Sequence, residues 1–134
     1  MSNDNTILLV EDDTFLIDIL VQKFKSDGYE VVHAGDGETA LKKVHENNPD
    51  LIFLDIILPG MNGFEVLKKL KDDDTIGNIP VAFLSNLGQK EDIEKGKRLG
   101  AVDFIVKANH SLDEIVDKAG EILASSPEGS TGGQ

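Results

Sequence analysis

The 134-residue sequence contains no cysteine and no tryptophan, and it carries only 13 Lys and Arg residues against 25 Asp and Glu residues. The absence of cysteine excludes thiol catalysis, zinc ribbons and iron–sulfur clusters. The shortage of basic residues gives a formal net charge of −12, which argues against a protein that binds nucleic-acid phosphates. No apolar run approaches the roughly 18 residues of a membrane span, and the first residues lack a signal pattern. We therefore expect a cytoplasmic protein that binds neither nucleic acid nor membrane.

The length is that of one domain, because compact domains commonly hold about 100–150 residues. A domain of this size buries enough surface to fold without disulfides or structural zinc. We place this domain at residues 5–124. Residues 125–134 (SSPEGSTGGQ) are small, polar and rich in glycine, which predicts a disordered tail.

Short apolar runs bounded by turn residues predict five strands: Thr6–Val10, Glu30–Ala34, Leu51–Asp55, Pro80–Ser85 and Asp103–Val106. The first, third and fourth runs are almost continuously apolar, as in strands buried on both faces of a parallel sheet. Segments with helical periodicity lie between and after them: 38–46, 64–70, 92–99 and 112–123. Ser111 and Glu114 form a capping box before the last of these segments. This alternation predicts a three-layer α/β sandwich with right-handed crossovers.

Acidic side chains stand where two of the predicted strands end. The first strand runs into Glu11, Asp12 and Asp13, and the third ends on Asp55. Sites in open α/β sheets form beyond the carboxyl ends of strands, near a switch in strand order. Two carboxylates about 4 Å apart repel by roughly 4 kcal/mol at an effective dielectric of 20, so converging acids need a cation. Oxygen ligands of this kind suit Mg²⁺. The alternative is that these are solvated loop acids that cap helices.

Ser85 and Lys107 stand at the ends of the fourth and fifth predicted strands. A hydroxyl and an ammonium are suitable hydrogen-bond donors for phosphoryl oxygens. Four strand ends would then present acids, a hydroxyl and a lysine at one edge of the sheet. This combination predicts a phosphoryl site.

These motifs resemble the receiver domains of bacterial two-component response regulators, above all the stand-alone chemotaxis-regulator type. The resemblance covers residues 5–124 and rests on four motifs: 8–13 (LLVEDD), 54–63 (LDIILPGMNG), Ser85 and 100–107 (GAVDFIVK). It implies an α/β, flavodoxin-like (βα)5 fold with a parallel five-stranded sheet of order 2-1-3-4-5.

The resemblance implies that Asp55 is the phosphoacceptor. Its donor would be a phosphohistidine on a sensor histidine kinase or a histidine phosphotransfer protein. The cofactor would be Mg²⁺ or Mn²⁺, held by Asp55 and by Asp12 directly and by Glu11 more often through water. The backbone carbonyl of Ile57 would supply another metal oxygen. The three scattered histidines are not expected to take part in a phosphorelay.

Ser85 and Lys107 would hold the transferred phosphoryl group, and Phe104 would turn inward when Ser85 moves. Phosphorylation would shift the population between two conformations and change the face formed by the fourth helix, fifth strand and fifth helix. Because few residues lie outside the fold, we expect a single-domain switch that contacts an unidentified downstream protein. The protein would be a monomer or a phosphorylation-dependent dimer, and not a turnover enzyme.

The sequence departs from the family pattern at two positions. Ala108 follows Lys107 where the family usually has proline, often after a cis bond. A cis bond costs about 2.5–4 kcal/mol before other residues and about 0.5–1 kcal/mol before proline, so we expect a trans bond. Asn86 replaces a usually small residue, which predicts an altered lifetime of phosphorylated Asp55, in a direction that stays open.

The first helix, which Asp13 is expected to cap, has more apolar residues than one buried face needs. The stripe expected to face the sheet consists of Leu16, Ile19, Leu20 and Phe24. Three further apolar residues remain: Phe15, Ile17 and Val21. They pack against neighbouring loops in one interpretation, and form a docking surface for a histidine kinase in the other.

The sequence argues against two other functions and leaves a third open. A phosphatase of the haloacid dehalogenase type needs a second Asp two residues after its nucleophile, and Ile57 at that position cannot shuttle a proton. A flavodoxin-like FMN binder is disfavoured because residues 11–13 would repel phosphate. A phosphorylation-independent interaction module with the same fold stays open, because Ala108 and Asn86 depart from the family pattern.

Overall fold

The computed structural model describes residues 5–125, which form five strands and five α-helices in alternation. The strands are β1 (Thr6–Val10), β2 (Glu30–Ala34), β3 (Leu51–Leu54), β4 (Val81–Ser85) and β5 (Asp103–Val106). The helices are α1 (Thr14–Ser26), α2 (Gly37–Asn47), α3 (Gly63–Lys71), α4 (Lys90–Arg98) and α5 (Leu112–Ser125). A 3-10 helix, Lys107–Asn109, lies between β5 and α5. The five predicted strands are confirmed, except that Asp55 and Pro80 lie just outside theirs.

The strands form one parallel sheet of order β2-β1-β3-β4-β5, which confirms the expected flavodoxin-like fold. In the pairing register, Leu8 in β1 lies opposite Val32 on one side and Ile52 on the other. The chain passes from β1 outward to β2 and then returns to the other side of β1 for β3. The carboxyl ends of β1 and β3 therefore lie side by side, at the switch in strand order.

Each face of the sheet is covered by one hydrophobic cluster, because successive strand residues point to opposite faces. In β1, Leu8 and Val10 pack into the cluster with α2 and α3, whereas Ile7 and Leu9 pack into the cluster with α1 and α5. The central strands β1, β3 and β4 are thus buried on both sides, as their continuous apolar runs predicted.

The orientation of α1 corrects one prediction. Ile17, Leu20 and Phe24 form its buried face, with Leu16 and Val21 partly buried beside them. Ile17 is only 8% exposed, so its assignment to a docking surface is wrong. Val21 packs against the same cluster, and Phe15, 76% exposed, is the predicted docking residue that projects into solvent. Apolar residues surround most of this helix, so the hydrophobic pattern alone did not define which side faces the sheet.

Local predictions about helix ends and the backbone are largely confirmed. Asp13 caps α1 by accepting hydrogen bonds from the backbone of residues 15 and 16. Ser111 and Glu114 form the predicted capping box, with hydrogen bonds of 2.7 and 3.1 Å. No peptide bond within residues 5–125 is cis, so the bond before Ala108 is trans as expected.

The predicted tail begins one residue too early, because Ser125 is the last residue of α5. The rest of that tail, residues 126–134, lies outside the described part of the chain. No helix within residues 5–125 has the length and apolar character needed to cross a membrane.

Candidate functional site

The acidic residues predicted at the strand ends converge in the structure. Asp55 follows β3 and its backbone N–H donates to Val10 at 3.0 Å, which holds it beside the end of β1. One carboxylate oxygen from each of Glu11, Asp12 and Asp55 lies within 4.8 Å of the others. Glu11 and Asp55 are 1% and 6% exposed, whereas Asp12 is exposed. These acids are therefore one cluster at the carboxyl edge of the sheet, and not separate loop acids.

Lys107 joins this cluster from the end of β5. Its Nζ atom lies 2.7 Å from Glu11 Oε1 and 3.0 Å from Asp55 Oδ2. Burial alone would lower the pKa of Lys107, but the ion pair with Glu11 and the charge and hydrogen-bonding oxygen of Asp55 together raise it. The side chain therefore stays a charged ammonium between the two buried carboxylates.

The charges of the cluster do not cancel. Burial raises the pKa of Glu11, the ion pair with the Lys107 ammonium opposes this change, and the charge of Asp55 adds to it. One ammonium faces three carboxylates, so further positive charge is needed when all three are ionised. Oxygen ligands gathered at an edge that is open at Asp12 fit Mg²⁺, which binds a few carboxylates and keeps several waters.

The loop after Asp55 is held tightly. Asp55 Oδ1 accepts a hydrogen bond of 2.7 Å from the N–H of Ile56, and Gly63 donates to the Ile56 carbonyl at 2.8 Å. A Cβ atom on Gly63 would overlap the carbonyl oxygen of Asp55, so only glycine allows α3 to approach this closely. Ile57 lies in this loop, between Ile56 and Gly63, and is 62% exposed. The Ile57 carbonyl stays a predicted metal ligand.

Ser85 and Phe104 lie on the side of the site that β4 and β5 form. Ser85 is fully buried at the end of β4, and its Oγ accepts a hydrogen bond of 3.2 Å from the N–H of Leu87. Phe104 is partly buried, with its ring 5.6 Å from the ring of Phe83. Asn86 is exposed beside Ser85. The sheet therefore places Ser85 between the strands that lead to Asp55 and Lys107, and its phosphoryl-binding role stays a prediction.

Two contacts beside the site were not predicted from the sequence. Asn62 and Glu65 form a capping box at the start of α3, with both hydrogen bonds at 3.0 Å. The spacing Asn-x-x-Glu was a usable signal for this box. His33 Nε2 lies 2.9 Å from the carbonyl oxygen of Glu11. No sequence motif predicts the contact between His33 and the Glu11 carbonyl, because it depends on how β1 and β2 are paired.

Comparison with known proteins agrees with this geometry. Residues 7–119 match the family model of the response regulator receiver domain. The chain is 43% identical over 110 residues to the response regulator PleD of Caulobacter vibrioides, covering 82% of this chain and 24% of PleD. It is 38% identical over 101 residues to the alkaline phosphatase synthesis transcriptional regulatory protein PhoP of Bacillus subtilis, covering 75% of this chain and 41% of PhoP. The chain thus spans less than half the length of these curated relatives.

Solved structures with the same fold include a CheY-like receiver domain protein from Methanospirillum hungatei. It has a TM-score of 0.85 and 26% identity, covering 94% of this chain and 98% of the other. The phosphorylated cyanobacterial phytochrome response regulator RcpA has a TM-score of 0.79 and 33% identity, covering 92% and 96%. The match over residues 7–119, the strand order and the acidic cluster lead to one conclusion: this chain belongs to the family of response regulator receiver domains.

Proposed function

We propose that the protein accepts a phosphoryl group on Asp55 from a phosphohistidine, in a reaction that requires Mg²⁺ or Mn²⁺, and that this modification switches a protein–protein interaction surface. The observation that carries the proposal is the cluster of Glu11, Asp12 and Asp55 with Lys107 inserted between two of its members. The cluster combines a carboxylate nucleophile, oxygen ligands for a cation and a fixed ammonium at one point.

The chemistry is a displacement at phosphorus. A carboxylate oxygen of Asp55 forms the new P–O bond while the P–N bond of the phosphohistidine breaks. The imidazole leaves with the electron pair and takes up a proton. A bound Mg²⁺, held by Glu11, Asp12, Asp55 and the Ile57 carbonyl, would supply positive charge for the phosphoryl oxygens. Lys107 supplies a second positive charge, so catalysis consists of positioning and electrostatic stabilisation.

The proposed switch begins at Ser85 and ends on the α4–β5–α5 face. The phosphoryl group would draw the Ser85 hydroxyl away from the N–H of Leu87, and Phe104 would turn inward into the space that this releases. A Cβ atom at Gly96 of α4 would lie 3.2 Å from the Phe104 ring, so this ring lies beside the helix. A change at Ser85 would therefore reach α4, and the altered face would bind a downstream protein. The single-domain arrangement and the phosphorylation-dependent dimer stay predictions.

A reaction with acetyl phosphate tests the phosphoryl transfer. We expect the wild-type chain to gain one phosphoryl group, measured by intact-mass spectrometry, only when Mg²⁺ is present. The Asp55→Asn variant should gain none, and the Asp72→Asn control should behave like the wild type because Asp72 lies in the loop after α3. We propose stoichiometric modification without turnover of an external substrate.

The other functions predict different results. A wild-type chain that is never modified would contradict the proposal and favour the phosphorylation-independent interaction module. Steady release of phosphate from a phosphomonoester, without a limit of one per chain, would contradict it in favour of a phosphatase.

The partner-docking part of the proposal now depends on Phe15, which projects into solvent two residues after Asp13. We expect Phe15→Lys to slow phosphoryl transfer from a phosphohistidine partner several-fold and to leave modification by acetyl phosphate unchanged. Val102→Lys is the matched control, because Val102 is also an exposed apolar residue. It lies just before β5, at the amino ends of the strands and away from the carboxyl edge that holds the site. Equal slowing with both donors would contradict a docking role.

A further inference from the structure

His33 borders the candidate site but lies outside the cluster of carboxylates. Its Nε2 atom lies 2.9 Å from the carbonyl oxygen of Glu11. Because a carbonyl oxygen only accepts hydrogen bonds, Nε2 must carry the hydrogen. The imidazole therefore donates to the backbone immediately before Asp12, the exposed member of the cluster.

Residues of β2 form hydrogen bonds with both the N–H and the carbonyl of Glu11. Its N–H donates to the Ala34 carbonyl at 3.0 Å, and its own carbonyl accepts from His33. Regular pairing of β1 with β2 ends at Val10 and Ala34, so the imidazole supplies a hydrogen bond just beyond the last paired residues. The Glu11 carbonyl and the Asp12 N–H belong to one planar peptide unit. Holding that carbonyl therefore sets the direction in which the chain continues to Asp12.

His33 is itself on a rigid element. It is paired with Leu9, one pair before the end of the β1–β2 register, and its carbonyl accepts a hydrogen bond of 2.6 Å from Lys43 of α2. Glu11 is 1% exposed, so water does not readily replace the imidazole as a partner for its carbonyl. The donor is thus both fixed in place and difficult to replace.

We propose that His33 is a positioning residue for the metal site. Its Nε2–H holds the Glu11–Asp12 peptide so that the Asp12 carboxylate faces those of Glu11 and Asp55 before the metal binds. This inference rests on the proposed function, because the metal is the Mg²⁺ of the phosphoryl transfer. Asp12 is exposed, so the backbone, rather than packing around its side chain, sets its direction. Partners that orient a metal ligand commonly change metal affinity by about 10- to 100-fold.

Metal binding without any phosphodonor tests the inference. We would measure Mg²⁺ affinity by isothermal titration calorimetry and Mn²⁺ affinity by the electron paramagnetic resonance signal of the free ion. We expect His33→Leu to raise both dissociation constants about tenfold, at the lower end of the range for such partners. His33→Gln places an amide donor near the original Nε2 position and should bind within twofold of the wild type. His45→Leu is the matched control, because it removes a histidine from α2 that contacts Asp73, outside the site.

A second variant keeps the test decisive if His33→Leu does not fold. His33→Asn retains an amide donor on a shorter side chain that does not reach the Glu11 carbonyl, so it should also bind metal about tenfold more weakly. Binding by a folded Leu or Asn variant within twofold of the wild type would overturn the inference. Equal weakening in the Gln variant would also overturn it. A wild-type chain that binds neither ion would instead refute the metal site of the proposed function, and this inference with it.

Discussion

Helices α3 and α4 have the same length and each follows a strand that ends at the site, yet they are attached very differently. Within the described structure, α3 buries five of its nine residues: Gly63, Phe64, Val66, Leu67 and Leu70. Helix α4, also nine residues, buries Gly96 alone among its described residues. Helix α3 begins with a capping box, whereas the N-cap residue of α4, Gln89, forms no side-chain capping hydrogen bond to a described residue.

This difference in burial and capping means that the side of the site next to α3 is held firmly, whereas the side next to α4 is held weakly. The loop after Asp55 leads into α3, which the core and its cap hold in place. The loop after Ser85 leads into α4, which has little apolar burial. Segments with few buried apolar contacts open at a low free-energy cost. The packing of these two elements therefore fits the proposed switch, in which the Asp55 side of the site stays in place and α4 moves.

The strongest test of this difference truncates one apolar side chain in each helix. Leu67 is fully buried in α3, so Leu67→Ala should lower the free energy of unfolding by about 3 kcal/mol. Ile93 is only partly buried in α4, so Ile93→Ala should cost about 1 kcal/mol, because less apolar area is lost. Urea unfolding followed by circular dichroism measures both values. Equal losses would show that α4 is anchored as firmly as α3.

Glycine substitutions test the two helices at their closest contacts. Gly63→Ala places a Cβ atom against the Asp55 and Ile56 backbone, which should cost about 2 kcal/mol of unfolding free energy through strain. Gly96→Ala places its Cβ 3.0 Å from the Phe83 ring and 3.2 Å from the Phe104 ring, a tight contact whose cost is offset by up to about 1 kcal/mol gained in helix propensity. We expect Gly96→Ala to be nearly neutral in the same unfolding experiment. A larger loss of unfolding free energy from Gly96→Ala than from Gly63→Ala would show that α4, and not α3, has the less yielding contact.

Removing the cap of α3 should have a smaller effect. Asn62→Ala deletes the side-chain oxygen that accepts the N–H of Glu65, and should lower the unfolding free energy by about 1 kcal/mol. Hydrogen exchange of the first amides of α3 should increase accordingly, measured by nuclear magnetic resonance. Unchanged exchange at Glu65 would mean that packing alone holds the start of α3.

The smallest expected effect comes from adding the missing cap to α4. Gln89 already has the extended backbone of an N-cap residue, with φ −72° and ψ 153°. Gln89→Ser should therefore raise the free energy of unfolding by about 0.5 kcal/mol, because serine accepts a hydrogen bond from the first turn. Thermal unfolding measures the gain, with Gln89→Ala as the control that adds no acceptor. A gain of equal size in the control would exclude capping as its cause.

Much of the fold and site was predictable from local patterns. Continuous apolar runs predicted the buried strands. The residues at or just after the ends of the strands, Asp55, Ser85 and Lys107, were expected to lie together at one edge of the sheet. The rotation of α1 was not predictable in the same way. Its apolar residues surround most of the helix, and only contact with the sheet selected Ile17 rather than Ile19 as part of the buried face.

The sequence by itself determined the alternation of strands and helices, the capping residues Asp13 and Ser111, and the types of side chain at the strand ends. It did so because periodicity and hydrogen-bonding capacity are local properties of the chain. The tertiary structure alone decided that Lys107 contacts Glu11 and Asp55 and that His33 holds the Glu11 carbonyl. Those contacts join residues that are distant in sequence, and they depend on strand order and pairing register, which only the folded sheet sets.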